Sequence, residues 1–587
     1  MTTIRRPARR LPWLLLVALA LVTGPALAID ARYSAHWFAP ERSGEGWMLE
    51  ILSPQAALLY WFTYDEQGNQ RWLTALGAID GQRIEFPELA LTTGGRFGAA
   101  FDPAAIQRTA VGTAWLQFVD CNAGQLGYTA FGQTLVVNVV RLTTTASVPC
   151  GPAPPATGLE ARAGQGGSWF DPDRSGEGWS MQWMDNGQML MIWYTFDPAG
   201  QPYWILGIGT LYQDVLVFHD AFASRGARFG APFDPDDVER FAWGQVRMTL
   251  GCTSGTVSYR STLPGFGEGG YERVVQLARP FGLGCAIPPE PDLAEATWAT
   301  RASIGPALSE LPAVTLDDAI YLAGGLLSLD GNSNQLWRYR PADDSWQRLA
   351  DMPVARDHVQ MAALPGRLYV FGGFAAGPLH ASPQANVWRY DVADDRWTVL
   401  PDMPRARAAG GAAVLDGDIY LAGDVVGGLD RYRPSDGSWT AIPMQDHAER
   451  DHAAVVAYRG DLWLLGGRNR FTGFTHGEVR IVDPRTGQSR IGPPMPSPRS
   501  GFAAAVLGNR LVVTGGEALD PVRLIVGMHF FDPAAQGWFG AAAPALDVHG
   551  GPGATWSGRM FELLGSRAAG GVDNPGRTQV LTPAPPP

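Results

Sequence analysis

The segment Leu368-Tyr369-Val370-Phe371-Gly372-Gly373 is followed by Tyr390-Asp391 and, seven residues after Tyr390, by Trp397. A run of apolar residues that ends in a glycine pair indicates a short buried strand closed by a tight turn. The same order of strand, glycine pair, aromatic residue and Trp returns, with variations, about every fifty residues in the second half of the chain. A period of this length predicts the blades of a β-propeller.

Six copies of this pattern occupy residues 297–587. The glycine pairs or their remnants are spaced by 48, 51, 43, 49 and 50 residues, and they begin at Gly324, Gly372, Gly423, Gly466, Gly515 and Gly565. These residues closely resemble the kelch repeat, in which a paired glycine after one strand is followed by a Tyr and then a Trp. The resemblance implies a six-bladed kelch-type β-propeller.

The sixth copy lacks its Trp, because the position seven residues after Leu581 lies beyond residue 587. A spare Trp stands at the start of the propeller, in Thr297-Trp298-Ala299-Thr300. We expect this segment to complete the last blade as its outer strand and thereby to close the ring. A closed ring has no open sheet edge and so avoids unwanted edge pairing.

A tandem duplication precedes the propeller. The sequence Arg42-Ser-Gly-Glu-Gly-Trp47 recurs as Arg174-Ser-Gly-Glu-Gly-Trp179 at an offset of 132 residues, and Arg96-Phe-Gly98 recurs as Arg228-Phe-Gly230. Short aromatic strands and Asp-x-x-Gly turns predict about eight strands per copy, arranged as a small β-barrel or sandwich. The predicted domains are β repeat 1 at 29–150, β repeat 2 at 168–285 and the propeller, with Pro/Gly-rich linkers at 151–167 and 286–296.

The repeated Glu45 and Glu177 are candidate catalytic acids. Each copy offers one such Glu without a second repeated carboxylate beside it, whereas a glycosidase needs a pair, so turn chemistry around a buried Trp is favoured. The repeated Trp residues could stack on sugars, but filling of the core is the favoured role. The copies resemble unnamed repeat modules of secreted proteobacterial proteins, and this resemblance implies no activity.

The N-terminus predicts a secretory signal peptide at residues 1–28. Arginines precede the apolar stretch Leu14–Val22, and Ala26-Leu27-Ala28 fits an A-x-A cleavage site. The absence of a nearby Cys argues against a lipoprotein, and no later stretch of sequence is apolar and long enough to span a bilayer. We therefore expect a bacterial protein that is secreted or periplasmic.

Four cysteines follow the signal peptide, and an even number in an exported chain implies disulfides with three possible pairings. Each copy of the duplication holds one early and one late Cys. The simplest pairing is therefore one bridge per copy, Cys121–Cys150 and Cys252–Cys285.

Charge and composition exclude several function classes. The formal net charge is −12 and all 45 basic residues are Arg. A nucleic-acid partner is disfavoured because a polyanion requires a basic face. Schiff-base chemistry, a pyridoxal-phosphate anchor and a Walker-A loop each need a lysine amine.

The candidate binding residues follow from the kelch resemblance, because in kelch propellers the turn before the inner strand lies at a mouth of the central channel. This turn carries an Arg in the second to fifth blades, with Ser309 and Asp547 at the corresponding places in the first and last. A His follows two residues later in two blades, and the sixth blade has one in a similar place. The candidates are Arg356, His358, Arg407, Arg450, His452, Arg499 and His549.

Two interpretations of the arginines stay open at this point. An Arg ring suits carboxylate or phosphate groups, which guanidinium binds bidentately. Alternatively, each Arg braces the blades by binding backbone carbonyls.

No metal, cofactor or catalytic residue is predicted. The three His come from separate blades without a ligand-type carboxylate at the matching positions. Asp330-x-Asn332-x-Asn334 lacks the later Glu of a Ca²⁺ loop and is interpreted as a polar loop. Copper-radical galactose oxidases also use kelch blades, but they need a Cys crosslinked to a Tyr, and this propeller contains no Cys.

These observations favour an exported, non-enzymatic binding or scaffold protein. Its propeller would bind a protein, a peptide, a glycan or a small anionic ligand at the Arg/His-lined mouth. The alternative is a periplasmic sugar-modifying enzyme similar to kelch propellers that interconvert sialic acid anomers, in which the Arg ring would hold the sugar carboxylate and a His would move protons.

Overall fold

The computed structural model describes residues 28–152, 158–230, 232–305, 307–328, 331–375, 382–444, 449–570 and 572–585. These residues form two compact units, one built from the two repeats without residues 211–217 and one from the propeller together with those residues. The predicted signal peptide lies outside the described residues except for Ala28. Within the described part of the chain, no helix is long and apolar enough to cross a membrane.

The first repeat is a closed barrel of eight strands that follow one another around the barrel in chain order. The strands are β1 Ala35–Phe38, β2 Gly46–Ser53, β3 Ala56–Tyr64, β4 Gln70–Asp80, β5 Arg83–Thr93, β6 Gln107–Phe118, β7 Ala123–Ala130 and β8 Gln133–Arg141. Short 3₁₀ helices occupy Ala31–Tyr33, Pro40–Arg42, Gly98–Ala100 and Pro103–Ala105.

The second repeat is a closed barrel with the same topology. Its strands are β9 Gly167–Phe170, β10 Gly178–Trp183, β11 Met189–Phe196, β12 Pro202–Tyr212, β13 Val215–Arg225, β14 Glu239–Leu250, β15 Ser254–Ser261 and β16 Glu268–Ala278. The 3₁₀ helices are Glu160–Gln165, Pro172–Arg174 and Pro235–Asp237. Both repeats are therefore barrels, with the eight strands expected of each.

The two predicted linkers contain regular structure, so their boundaries need correction. The 3₁₀ helix Glu160–Gln165 lies within 151–167, and the first propeller strand begins at Asp292, within 286–296. Leu293 and Ala296 of that strand are buried in the propeller, which is why the strand extends into the predicted linker.

The repeated tryptophans fill the interiors of the barrels. Trp37 pairs with Trp47 across β1 and β2, and Trp47 pairs with Trp61 across β2 and β3. Trp169, Trp179 and Trp193 repeat this row in the second barrel. All six side chains are at most 1% exposed, so they pack in the core and present no face to a sugar.

The repeated polar motifs lock one barrel to the other. The buried Arg42 forms an ion pair with Glu45, and its Nη1 donates to the carbonyl of Gly230 in the second copy at 2.8 Å. Arg174 binds Glu177 and donates to the carbonyl of Gly98 in the first copy at 3.0 Å. Glu45 and Glu177 thus have a structural role in the turn, as favoured from sequence.

The two Arg-Phe-Gly motifs exchange their aromatic rings. Phe97 of the first copy lies 5.4 Å from Trp193 in the core of the second barrel. Phe229 of the second copy lies 5.6 Å from Trp61 in the core of the first. Each copy therefore completes the other's hydrophobic core, and the duplicated barrels fold as one unit.

Each barrel carries one disulfide. Cys121 is bonded to Cys150 and Cys252 is bonded to Cys285, and the described residues include no free cysteine. The predicted pairing is confirmed.

The propeller has six four-stranded antiparallel blades. The first three blades are β18 Ala313–Leu316, β19 Ala319–Ala323, β22 Leu336–Arg340 and β23 Ser345–Arg348; β24 Gln360–Leu364, β25 Arg367–Phe371, β26 Val387–Asp391 and β27 Arg396–Leu400; β28 Gly411–Leu415, β29 Asp418–Ala422, β30 Leu429–Arg433 and β31 Ser438–Ile442. The next two are β32 Ala454–Tyr458, β33 Asp461–Leu465, β34 Val479–Val482 and β35 Ser489–Gly492; β36 Ala503–Leu507, β37 Arg510–Thr514, β40 Met528–Asp532 and β41 Gly537–Ala541. Small hairpins extend blades one and five, β20 Leu326–Ser328 with β21 Gly331–Asn332, and β38 Glu517–Leu519 with β39 Val522–Leu524.

The sixth blade closes the ring with a strand from the start of the domain. It contains β42 Gly553–Trp556, β43 Arg559–Leu563 and β44 Thr578–Ala584, and its outer strand is β17 Asp292–Arg301. Trp298 pairs with Leu581, as Trp397 pairs with Tyr390 in the second blade. The predicted closure is therefore confirmed.

Closure by β17 can be tested at Leu293, which is fully buried among residues of the fifth and sixth blades. We expect Leu293→Ala to cost about 2–5 kcal/mol through lost burial and the cavity left behind, and so to lower the melting temperature of the propeller in calorimetry of the full chain. Val399→Ala is the control, since Val399 lies on the outer strand of the second blade and is 67% exposed. Equal, small effects of the two substitutions would contradict the closure.

The contact between the barrels contains a buried acid. Glu50 on β2 is fully buried, and its carboxylate accepts hydrogen bonds from Ser168 at 2.8 Å and Ser180 at 3.1 Å in the second barrel. Burial raises the pKa of Glu50 to about 7, because the two hydroxyls only partly offset the loss of water.

This raised pKa makes the stability of the barrel unit depend on pH. The folded state holds the proton more tightly than the unfolded state, so the stabilisation is complete below pH 4.5 and is lost as pH rises through 7. We expect melting temperatures of the full chain between pH 5 and 8 to show this loss, about 3 kcal/mol in all, and Glu50→Gln to remove it. The exposed Glu88 provides the control: Glu88→Gln should keep the wild-type slope, and an unchanged slope in Glu50→Gln would refute the assignment.

Candidate functional site at the propeller axis

Six turns meet on the propeller axis, one from each blade, just before its inner strand. Their central residues have φ between +51° and +61°. Each donates its backbone N–H to the carbonyl of its counterpart in the preceding blade, at 2.7–3.0 Å, and the six bonds form a closed circle. We call this circle the axial ring. Its members are Glu310, His358, Ala409, His452, Gly501 and Gly550.

The axial ring corrects the sequence alignment of the blades. In the last blade the ring residue is Gly550, and His549 stands one position earlier. The position two residues before the ring residue, which is Arg in four blades, is Leu308 in the first and Val548 in the last, not Ser309 and Asp547. With the blades aligned in this way, Glu310 is the counterpart of His358 and His452.

The three predicted histidines converge on Glu310. One carboxylate oxygen of Glu310, Oε2, lies 3.2 Å from Nε2 of His358 and 3.3 Å from Nε2 of His452. The other oxygen, Oε1, lies 3.2 Å from Nδ1 of His549. The two Nε2 atoms of His358 and His452 are 2.8 Å apart. The expectation that no carboxylate accompanies the histidines is therefore wrong, since Glu310 supplies one.

Further charged groups surround this cluster. Asp357 Oδ1 lies 2.6 Å from Nδ1 of His358, and Asp451 Oδ1 lies 2.8 Å from Nδ1 of His452. Arg468 bridges Asp451, at 3.1 Å, and Glu517. Asp357, Asp451 and Glu517 are buried and Arg468 is half-buried. None of these four residues was a candidate from sequence.

The cluster stabilises its own charges. Burial alone would lower the pKa of His358, but Glu310 and Asp357 outweigh burial and raise it to about 10. Burial likewise opposes the charge on His549, yet Glu310 raises its pKa to about 9. Burial would raise the pKa of Glu310, but His358 and His452 hold it well below the ordinary value. The site therefore favours positive charge next to the Glu310 carboxylate.

The four predicted arginines do not converge on the axis. Their side chains point outward and contact groups of their own blade, and Arg407 and Arg499 are fully buried. The contacts are Asn386 for Arg356, Asp424 and Asp430 for Arg407, Glu478 for Arg450, and Gly515 and His529 for Arg499. The expectation of an Arg ring that faces shared solvent is wrong, because each guanidinium braces the blade that carries it.

The backbone of the same turns explains the glycine pairs. The carbonyl of Arg407 accepts the N–H of Gly373 in the preceding blade at 2.9 Å. Gly372 has φ +60°, and a Cβ there would lie 2.1 Å from that carbonyl oxygen. The glycine pair therefore exists because the turn of the next blade packs directly against it.

The cluster covers one end of a channel of about 200 Å³ along the axis. The channel is lined by small and apolar residues of the inner strands, among them Ala412, Ala454, Val455, Ala504 and Gly553. The charged side chains that line the channel, Glu310, His358 and His452, thus lie at the end where the inner strands begin.

The propeller is similar to known kelch-repeat proteins. Residues 310–516 match the family model of the KLHDC2/KLHL20/DRC7 Kelch-repeats domain. Kelch-like protein terF of Aspergillus terreus is 30% identical over 326 residues, which cover 50% of this chain and 70% of that protein. Kelch-like protein 15 of Danio rerio is 25% identical over 247 residues, or 37% of this chain and 40% of that protein.

Among solved structures, that of YjhT matches 48% of this chain and 99% of its own, with 17% identity and a TM-score of 0.42. The kelch-repeat homologues matched by sequence are generally protein-binding or scaffold proteins.

The axial ring can be tested with two glycines of the same conformation. A Cβ on Gly550 would lie 2.4 Å from Oε1 of Glu310, whereas a Cβ on Gly501 meets no atom closer than 3.4 Å. Gly501→Ala should cost only about 1–2 kcal/mol for its left-handed backbone, like the native Ala409. Gly550→Ala carries the same cost and also displaces the Glu310 carboxylate. We expect calorimetry to show a lower melting temperature for Gly550→Ala than for Gly501→Ala, and equal values would disprove the packing described.

Proposed function

The chain belongs to the kelch-repeat family, and we propose that its propeller is the protein-binding domain of an exported protein. The binding surface is the face of the propeller that surrounds the cluster of Glu310 and the three histidines. The occupant is an extended peptide segment of a partner protein that presents apolar side chains.

The observation that carries this proposal is where the propeller exposes its large apolar side chains. Of the ten such side chains in its described residues, seven lie in the loops and small hairpins around the cluster: Leu327, Val354, Val426, Phe471, Phe474, Val522 and Val526. The other three, Val399, Ile491 and Phe539, lie on outer strands. Apolar side chains gathered on one face are typical of a protein interface.

The fourth, fifth and sixth blades form the continuous part of this face. Phe471 is 78% exposed and Phe474 is 59% exposed on the loop between β33 and β34. Gly473 of that loop lies near Leu519 in the hairpin β38–β39, and Gly570 of the sixth blade lies near Leu519 and Val522 of the same hairpin. An extended peptide could therefore lie across neighbouring loops and place its side chains between them.

The remaining parts of the molecule support export. The predicted signal peptide and the two disulfides favour an oxidising compartment. The arginines are engaged within their blades, so the acidic-sugar alternative lacks the anion clamp that it required. A peptide ligand therefore suits this face better than an anionic sugar does.

The test selects peptides from a random display library on the full chain and measures their affinity for variants. We expect the double substitution Phe471→Ser and Phe474→Ser to weaken binding at least about 10-fold, as loss of two central aromatic contacts does. The matched control replaces Ile491 and Phe539, exposed apolar residues on outer strands, with Ser and should bind within about 2-fold of wild type. Selected peptides that bind both double variants equally well would refute the proposed face.

A further inference from the structure

We infer that Glu310, His358 and His452 form a binding site for one divalent transition-metal ion, of the zinc type, on the propeller axis. The inference rests on the donor atoms, their supporting groups and the axial ring. It is independent of the protein-binding proposal.

The three donor atoms have the spacing of ligands on one side of an ion. Oε2 of Glu310 and the two Nε2 atoms form a triangle with sides of 2.8, 3.2 and 3.3 Å. An ion about 2.1 Å from each atom would lie roughly 1 Å out of the plane of this triangle. Two His and one carboxylate are a ligand set that zinc and other first-row metals use.

The neighbouring aspartates orient both imidazoles for such an ion. Asp357 lies against Nδ1 of His358 and Asp451 against Nδ1 of His452. The hydrogen bond to Asp357 places the ring proton of His358 on Nδ1 and leaves the lone pair of its Nε2 for the metal, as in carboxylate–histidine–metal sites. Asp451 lies 2.8 Å from Nδ1 of His452. The two Nε2 atoms lie 2.8 Å apart and repel each other unless a proton or a metal ion lies between or beside them.

The charges around the triangle favour a cation. Glu310, Asp357, Asp451 and Glu517 are four carboxylates within the cluster, and Arg468 is the guanidinium that contacts two of them. Nη2 of Arg468 also lies 3.3 Å from Nε2 of His452, a contact that the ion would replace when it binds. His549 contacts Oε1 of Glu310 and leaves Oε2 directed at the two histidines.

The backbone holds the three ligands in place. Glu310, His358 and His452 are all ring residues with φ of +54°, +51° and +60°, a region costly for residues other than glycine. Each is fixed by the hydrogen bonds of the axial ring. Backbone strain of this kind is concentrated at functional sites, where the surrounding structure maintains it.

The other half of the axial ring leaves space. Its members are Ala409, Gly501 and Gly550, which bring no side chain beyond a methyl group to the axis. An ion at the triangle would thus have three protein ligands and an open side toward the channel. Three protein ligands with an open position are typical of reactive rather than purely structural zinc sites.

The test uses the full chain, treated with a chelator and dialysed, and titrated with ZnCl₂ by calorimetry and with CoCl₂ by absorption spectroscopy. We expect about one ion per chain, intense visible Co²⁺ bands of a low-coordinate N/O site, and a higher melting temperature of the propeller with Zn²⁺. His358→Gln, His452→Gln and Glu310→Gln should each abolish the stoichiometric site. His476→Gln is the control, since His476 lies in the same blade as His452 but is not a member of the cluster.

The variant Asp357→Asn covers the case in which a ligand variant fails to fold. It keeps the three ligands and should weaken Zn²⁺ binding about 10–100-fold by releasing Nδ1 of His358. Two results would overturn the inference: wild-type protein that takes up no Zn²⁺ or Co²⁺, or uptake that is unchanged in His358→Gln and His452→Gln. The first would identify the cluster as an ion-pair network joined by a shared proton, and the second would place the bound metal elsewhere on the chain.

Discussion

The propeller depends on six backbone hydrogen bonds that form a circle around its axis. Each bond joins adjacent blades, and each requires a left-handed residue whose N–H points back to the preceding blade. Because every member both donates and accepts within the circle, one misplaced turn breaks two contacts between blades. The circle of hydrogen bonds closes the propeller at its axis, and the outer strand β17 closes it at the rim. The sixth blade is therefore as complete as the other five.

The same turns connect the axis to the body of each blade. In the second to fifth blades an Arg stands two residues before the ring residue, and its side chain reaches outward to the third strand or the loop before it. In the second, third and fifth blades the backbone carbonyl of this Arg accepts an N–H of the glycine pair in the preceding blade. A single short motif thus orients its own blade with its side chain and joins the neighbouring blade with its backbone. This dual role explains why the motif recurs without forming an anion-binding ring.

Those parts of the fold that depend on short-range pattern could be predicted from the sequence. The blades follow from strands and glycine pairs, the closing strand from the misplaced Trp298, and the disulfides from one Cys pair in each repeat. The exchange of Phe97 and Phe229 between the barrels could not be predicted, because each ring fills the core of the other copy, far away in the sequence. Periodicity shows that two copies exist, but it does not show which copy completes which core.

The site was only half predictable for a related reason. His358 and His452 stand at equal distances from their arginines, so the repeat revealed them. The first blade has Leu308 where these blades have Arg, and without that Arg the counterpart of the histidines could not be located. Glu310 was therefore missed, although it stands in the same ring position.

The composition of the axial ring then gains a physical meaning. A left-handed position is cheapest for glycine, and the ring uses glycine in the fifth and sixth blades and alanine in the third. In the first, second and fourth blades it holds Glu and His at the same backbone angle, where each bears a conformational cost. The fold alone does not require side chains at these positions, since glycine would maintain the same hydrogen bonds. The ring nevertheless holds a carboxylate and two imidazoles there against that cost, with their donor atoms directed at one point. The proposed metal ion at that point gives these three side chains a reason to be there.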